Sequence, residues 1–99
     1  MSTFTYAGEV MHVEPVGTFH TGEVAWAVVT ARGERWCRLS VNLGFPPSKT
    51  DPTLFWLKGW SENFEVVSAA IAQHVIEIDP TITPRQAGHV LAQAARVRR

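Results

Sequence analysis

Few side chains in this sequence could perform covalent or metal chemistry: one cysteine, Cys37, and four histidines, His12, His20, His74 and His89. A thiol nucleophile needs a base within hydrogen-bond reach and surroundings that favour the thiolate. Cys37 instead falls at an inward position of an alternating strand, between apolar neighbours, where a thiol packs as a small inert hydrophobe. The histidines are scattered, with no i,i+3 or i,i+4 pair. A zinc site would have to gather ligands from distant elements. Glu77 and Asp79 share a side if their segment is extended. Such a pair can bind a hard cation or divide acid and base roles, but a solvated strand edge is the commoner outcome. Gly17, Gly22, Gly33, Gly44, Gly59 and Gly88 are dispersed and build no phosphate loop. The expectation is no catalytic residue, no metal and no cofactor: not an enzyme.

Residues suited to recognition are better represented. Trp36 lies between Arg35 and Arg38, and Trp and Arg are enriched among the residues that dominate protein–protein contacts. The competing expectation buries Trp36 under a helix. Phe45 precedes Pro46-Pro47 in a loop, as an exposed contact or as a plug at the core edge. Trp60 stands at the rim of a strand-to-helix junction, with Glu62 in the first helical turn. The candidate partner-binding set is therefore Arg35, Trp36, Arg38, Phe45, Trp60 and Glu62. A nucleic-acid surface is the alternative, using Arg32, Arg35, Arg38, Arg85, Arg96, Arg98 and Arg99, with Trp36 stacking on bases. The charges are segregated: residues 1–31 hold Glu9, Glu14 and Glu23 without Lys or Arg, and residues 84–99 hold arginines without acids. A formal net charge of zero nevertheless disfavours a general phosphate binder, which needs many cationic contacts.

These groups must be positioned by a small α+β domain. A length of 99 residues suits one domain with a single core, spanning 1–99. Thr3 to Val13 mixes β-formers with alternating polar positions and predicts a first strand, ended by Glu14-Pro15-Val16-Gly17. Val24 to Ala31 is apolar on both faces, which suits a central strand covered on both sides or only thinly shielded on one. An Arg32-Gly33 hairpin loop would pair Val28 with Cys37, Trp26 with Leu39 and Val24 with Val41. Arg35 to Leu43 then points Cys37, Leu39, Val41 and Leu43 inward, and Trp36, Arg38, Ser40 and Asn42 outward. Gly44 to Thr53 is a loop and Leu54 to Trp60 a fourth strand, with Trp56 and Trp60 on one face and Phe55 and Leu57 on the other.

A helix over about 62–74 follows, with Ser61 as N-cap and Phe64, Val67, Ile71 and Val75 at helical spacing. Val75–Ile78 could be a short strand. Thr83-Pro84-Arg85-Gln86 fits a capping box and predicts a C-terminal helix over about 84–97, with a closing strand as the alternative because Gly88 disfavours a helix interior. The fold expected is an antiparallel sheet of four to five strands with the first helix packed on it. No run approaches the ~20 apolar residues of a membrane span, and Met1–Thr5 lacks the features of a signal peptide. One cysteine precludes an internal disulfide, so a cytoplasmic protein is expected.

Trp56-Leu57-Lys58-Gly59-Trp60-Ser61-Glu62-Asn63, preceded by Leu39-Ser40-Val41-Asn42-Leu43, resembles a pattern in small uncharacterised proteins of phages, plasmids and other mobile elements. The likeness covers the middle third of the chain and brings no catalytic residues with it. Such proteins often bind host machinery, with anti-CRISPR inhibitors as an example by analogy. The resemblance implies a non-enzymatic partner of a host protein or complex. A homodimer through an unpaired sheet edge or Trp36 is a further expectation.

Overall fold

The computed structural model describes residues 2–98. Thr3–Tyr6 (β1) and Glu9–Thr18 (β2) pair across the two-residue turn Ala7-Gly8. The single strand expected over Thr3–Val13 is thus a hairpin. Ala7 (φ 54°) and Gly8 (φ 77°) both adopt the left-handed conformation that a tight hairpin turn requires. Glu14–Gly17 does not end the strand either. A bulge between Pro15 and Gly17 absorbs the irregularity, and pairing with the next strand continues to Thr18.

Val24–Thr30 (β3) and Arg35–Arg38 (β4) complete a first antiparallel sheet in the order β1-β2-β3-β4. Trp26 and Val28 enter the main core. Ala25, Ala27 and Val29 are buried on the other face, where the cross-strand neighbours are polar: Glu14 and Arg38 beside Ala27, His12 and Arg35 beside Val29. This is the thinly shielded second face. The loop after β3 is one residue longer than expected, because Thr30 N–H bonds to Glu34 C=O and encloses Ala31, Arg32 and Gly33. A bulge at Trp36 compensates, and Val28 faces Cys37 as the register predicts.

Leu39 N–H still donates to Trp26 C=O, but the Val24–Val41 pair does not form. Beyond Arg38 the chain crosses to the second sheet: Ser40 bridges Leu57, and Val41 N–H donates to Trp56 C=O. Ser40 Oγ accepts the Trp26 N–H at 2.8 Å, which satisfies a main-chain donor at this seam.

The second sheet contains Phe55–Leu57 (β5), Ile76–Ile78 (β6), Arg85–Ala87 (β7) and Val90–Val97 (β8), with β8 between β5 and β6 and also paired to β7. The C-terminal helix expected over 84–97 is absent, and the closing-strand alternative is present. Gly88 (φ 66°) opens the two-residue turn Gly88-His89 between β7 and β8. The alanines of β8 serve both faces: Ala95 lies in the main core, whereas Ala92 and Ala94 pack with Trp56 in a second cluster. A helix could have buried only one stripe. The strand over Leu54–Trp60 shortens to β5, with its faces as expected: Phe55 and Leu57 in the main core, Trp56 and Trp60 in the second cluster.

A 3-10 turn, Ser61–Asn63, leads into Phe64–Ala72 (α1), where a helix over 62–74 is expected. Its inward stripe is Val66, Val67 and Ala70, and Phe64 and Ile71 face solvent, contrary to expectation. Ser61 (φ 59°) is not the N-cap: Trp60 holds that position for the 3-10 turn and Asn63 for α1, and neither side chain makes a capping bond. The first turn winds at about 3.0 residues per turn, which shifts the phase of all that follows. α1 packs on β1 and β6 and closes the gap between the two sheets. The Gln73 amide exchanges two bonds with the Thr5 main chain, Thr5 N–H to Oε1 at 2.9 Å and Nε2 to Thr5 C=O at 2.8 Å, capping the β1 edge. The whole is an α+β domain, mostly sheet. Among the described residues no helix is long and apolar enough to cross a membrane.

Candidate functional site

The bulge in β4 takes Trp36 out of strict alternation. Its ring meets Tyr6 of β1 edge-on, at 6.1 Å between centroids and 77° between planes, although β1 and β4 are opposite edges of the sheet. The sheet is therefore curled until its ends approach. No C-terminal helix covers Trp36, and it is 46% exposed. Tyr6 Oη donates to Glu65 at 3.1 Å in the first turn of α1, and its phenol pKa is raised, first by desolvation and then by that carboxylate. Next to Glu65 stands Phe64, 62% exposed. Trp36, Tyr6 and Glu65 in the first turn of α1 are thus linked, and the exposed Phe64 precedes Glu65 in that turn. Sequence reasoning missed Phe64, because the regular 3.6-residue phase placed it inward.

Charged residues lie close to Trp36 and Phe64 in sequence. Arg35 and Arg38 are exposed on β4. Glu62 pairs with Lys58 at 2.9 Å; the hydrogen bond from the Lys58 ammonium is the first cause that lowers its carboxyl to about 2. That exposed pair adds little stability. Asn63 fixes the helix start from beneath: Nδ2 donates to Arg38 C=O at 2.7 Å and to Lys58 C=O at 3.0 Å.

Phe45 and Trp60 belong to a different place. Phe45 packs edge-on against Trp56 (5.9 Å, 77°), its carbonyl accepts Trp56 Nε1–H at 2.9 Å, and Arg85 lies over its ring at 5.5 Å. A cavity of about 200 Å³ beside it is lined by Pro47, Trp56, Ile82 and Arg85 among others. Trp60 is half-buried against the cluster around Trp56, with Val41 and Leu43. The six residues of the candidate partner set are consequently split. Trp36 is joined through Tyr6 to Glu65 at the start of α1, and Glu62 lies in the turn before it. Arg35 and Arg38 lie beside Val29 and Ala27 on the second face of the sheet, and Phe45 and Trp60 seal the second cluster.

The arginines are dispersed as well. Arg32 pairs with Glu34 at 3.1 Å and Arg98 with Glu77 at 3.4 Å. Arg96 is held by three carboxylates: Glu77 and Asp79 at 3.0 Å and Asp51 at 3.2 Å. Glu77 and Asp79 are thus ion-pair partners of a half-buried guanidinium rather than a merely solvated edge. Asp51-Pro52-Thr53 and Asp79-Pro80-Thr81 are the same triplet used twice, a repeat that the sequence shows on inspection. In each, one aspartate oxygen accepts the hydroxyl and main-chain N–H of the threonine two residues on, and the other accepts Arg96. Arg99 lies outside the described residues.

The threonine bonds, then Arg96, lower the pKa of both aspartates. A carboxyl lowered on folding contributes stability above its unfolded pKa of about 3.9, and that contribution is lost as pH falls through the folded value. Arg96→Met should therefore be less stable than the wild type at pH 7, and the gap should narrow below pH ~4 as the carboxylates protonate. Urea midpoints measured across that range check this; a gap independent of pH would refute the clamp.

Partial burial raises the Cys37 thiol pKa, which disfavours a thiolate. Among the described residues no group of three His, Cys, Asp or Glu side chains is placed to hold a metal. Compared with protein-family models, curated proteins and solved structures, the chain gives no significant match.

Proposed function

We propose that the protein is a non-enzymatic binding protein that docks on a partner protein through the surface formed by Trp36, Tyr6 and Phe64. The observation that carries this reading is the exposure of two large aromatics, 46% for Trp36, which packs on Tyr6, and 62% for Phe64, in the helical turn to which the Tyr6 phenol is tied. Rigid aromatics bury large areas at small entropic cost, and arginines and acids at the rim give orientation. The resemblance of the Leu39–Asn63 region to mobile-element proteins suggests the partner: a component of a host complex such as CRISPR-Cas machinery, which the protein would inhibit.

The test is affinity capture from host lysate with the wild type and with a Trp36→Ala/Phe64→Ala variant. The double variant should stay folded, since the Tyr6–Trp36 contact contributes only about 0.5–1.5 kcal/mol. It should bind the captured partner at least about thirtyfold more weakly, the effect of losing roughly 2 kcal/mol at a hot spot. No specific capture by the wild type, or equal affinity for both proteins, would sink the proposal. A nucleic-acid module is the weaker reading, because Arg32, Arg96 and Arg98 are ion-paired and Arg85 covers Phe45. Salt-dependent binding to single- or double-stranded probes would favour it.

A further inference from the structure

The start of β7 carries a cation to the edge of the second cluster. Arg85 pairs with Ala92 of β8, so Arg85 and Ala87 share one face of the strand and Gln86 takes the other with Leu91. Ala87 and Ala92 pack in the cluster around Trp56, whereas Leu91 is exposed. Arg85 therefore lies on the cluster side, with its guanidinium carbon 5.5 Å from the centroid of the Phe45 ring. The ring occupies one face of the guanidinium. The N–H groups lie in the plane of that group and stay open to an acceptor. Arg32, Arg96 and Arg98 are each ion-paired, but Arg85 has no carboxylate partner among the described residues.

Arg85 lines the cavity of about 200 Å³ beside Phe45. No acidic residue lines it, so the chain supplies no counter-ion of its own there. Phe45, Pro47, Trp56 and Ile82 make its wall largely apolar, and the exposed Thr83 adds a hydroxyl without a hydrogen-bond partner among the described residues. The wall is fixed in advance: Phe45 C=O accepts Trp56 Nε1–H, and Gly44 N–H donates to Asn42 Oδ1. A cavity of about 150 Å³ accepts a benzene ring. This one has room for a single ring, or a branched aliphatic group, that ends in a small anion.

We propose that this cavity binds a small organic carboxylate, with the carboxylate on the Arg85 guanidinium and the apolar body against Phe45, Pro47 and Ile82. The two oxygens of a carboxylate match the forked donors of a guanidinium in paired bonds. Inorganic phosphate matches them as well, but it buries no apolar surface against the wall and gains nothing from it. The same chemistry could come from a free acid or from the C-terminal carboxylate of a partner peptide with an apolar last residue. The site shares no residue with the proposed docking surface, so it stands or falls independently of that reading.

The experiment is an amide-resolved NMR titration of the full chain with sodium benzoate, against benzyl alcohol and inorganic phosphate. Benzoate should give saturable shifts at Gly44, Phe45, Ile82, Thr83 and Arg85, with affinity at least tenfold above either control. Arg85→Gln should weaken it at least tenfold. Arg85 is exposed, so this variant should keep the fold, and its own spectrum shows whether it does. Arg85→Lys, which keeps the charge but loses the fork, should remain at least threefold weaker than the wild type. N-acetylglycylphenylalanine, with its carboxylate free, separates the sources: binding at least as tight as benzoate assigns the site to a chain end, and weaker binding to a free acid. A preference for benzoate below tenfold over either control would overturn the proposal. So would either Arg85 variant binding like the wild type, or the absence of a saturable response.

Discussion

Trp56→Ala is expected to destabilise the domain by about 3–5 kcal/mol, the range for deleting a large buried aromatic. Trp56 is 1% exposed and is the largest fully buried side chain. It anchors the second cluster, with Ala92 and Ala94 on β8, and its Nε1–H donates to Phe45 C=O. Truncation removes the ring and leaves that carbonyl without its donor. The surrounding alanines are too small to refill the space. A domain of this size typically has only about 5–15 kcal/mol of stability, so the midpoint of thermal unfolding should fall by at least ~12 °C. Trp60→Ala, at the half-buried rim, should have a smaller effect. Calorimetry of the two variants decides it; a Trp56→Ala loss below about 1 kcal/mol would mean that the second cluster is not structural.

How much of this was legible in the sequence varies by element. The turn position and the alternation of Cys37 and Leu39 with Trp36 and Arg38 placed the pairing of Val28 with Cys37 correctly, because a one-residue slip would have turned Arg38 rather than Cys37 inward. The same logic separated Phe55 and Leu57 from Trp56 and Trp60. Failures came where backbone geometry departed from a regular period. Ala7 at positive φ is unusual for alanine, so the β1–β2 turn carried only the weak signal of Ala-Gly. The 3-10 turn at Ser61 rotated α1, which exposed Phe64 and buried Val66. In β8 the run of alanines satisfied a helical stripe and a two-faced strand equally well, and tertiary packing chose the strand. The candidate surface was only half legible: Trp36 and its arginines could be read, whereas Tyr6 and Phe64 join it through sheet curvature and helix phase, neither of which has a local signature. The paired Asp-Pro-Thr triplets were readable, but their shared partner, Arg96, comes from a strand distant in sequence.

Replacing Asn63 should have the other large effect. Its side chain is 1% exposed, and its amide N–H groups bond the carbonyls of Arg38 and Lys58, tying β4 and the end of β5 to the start of α1. Asn63→Leu removes both donors from carbonyls that the fold still holds in place. At about 1–3 kcal/mol for each of the two acceptors left unsatisfied, the loss is roughly 2–6 kcal/mol. Asn63→Asp keeps the shape but presents an acceptor-only carboxylate to two carbonyl oxygens, so at pH 7 it should be at least as damaging. The two variants part on acidification. Protonation gives the carboxyl at position 63 one donor, so its folded pKa must lie above the unfolded value of about 3.9. The stability linked to that proton is fully present below the unfolded pKa and is lost as pH rises through the folded one. The deficit of Asn63→Asp against the wild type should therefore shrink towards pH 4, and that of Asn63→Leu should stay constant. Denaturant titrations of both variants between pH 4 and pH 7 measure this. A constant deficit for Asn63→Asp would show that the side chain acts through packing rather than through its two donated bonds.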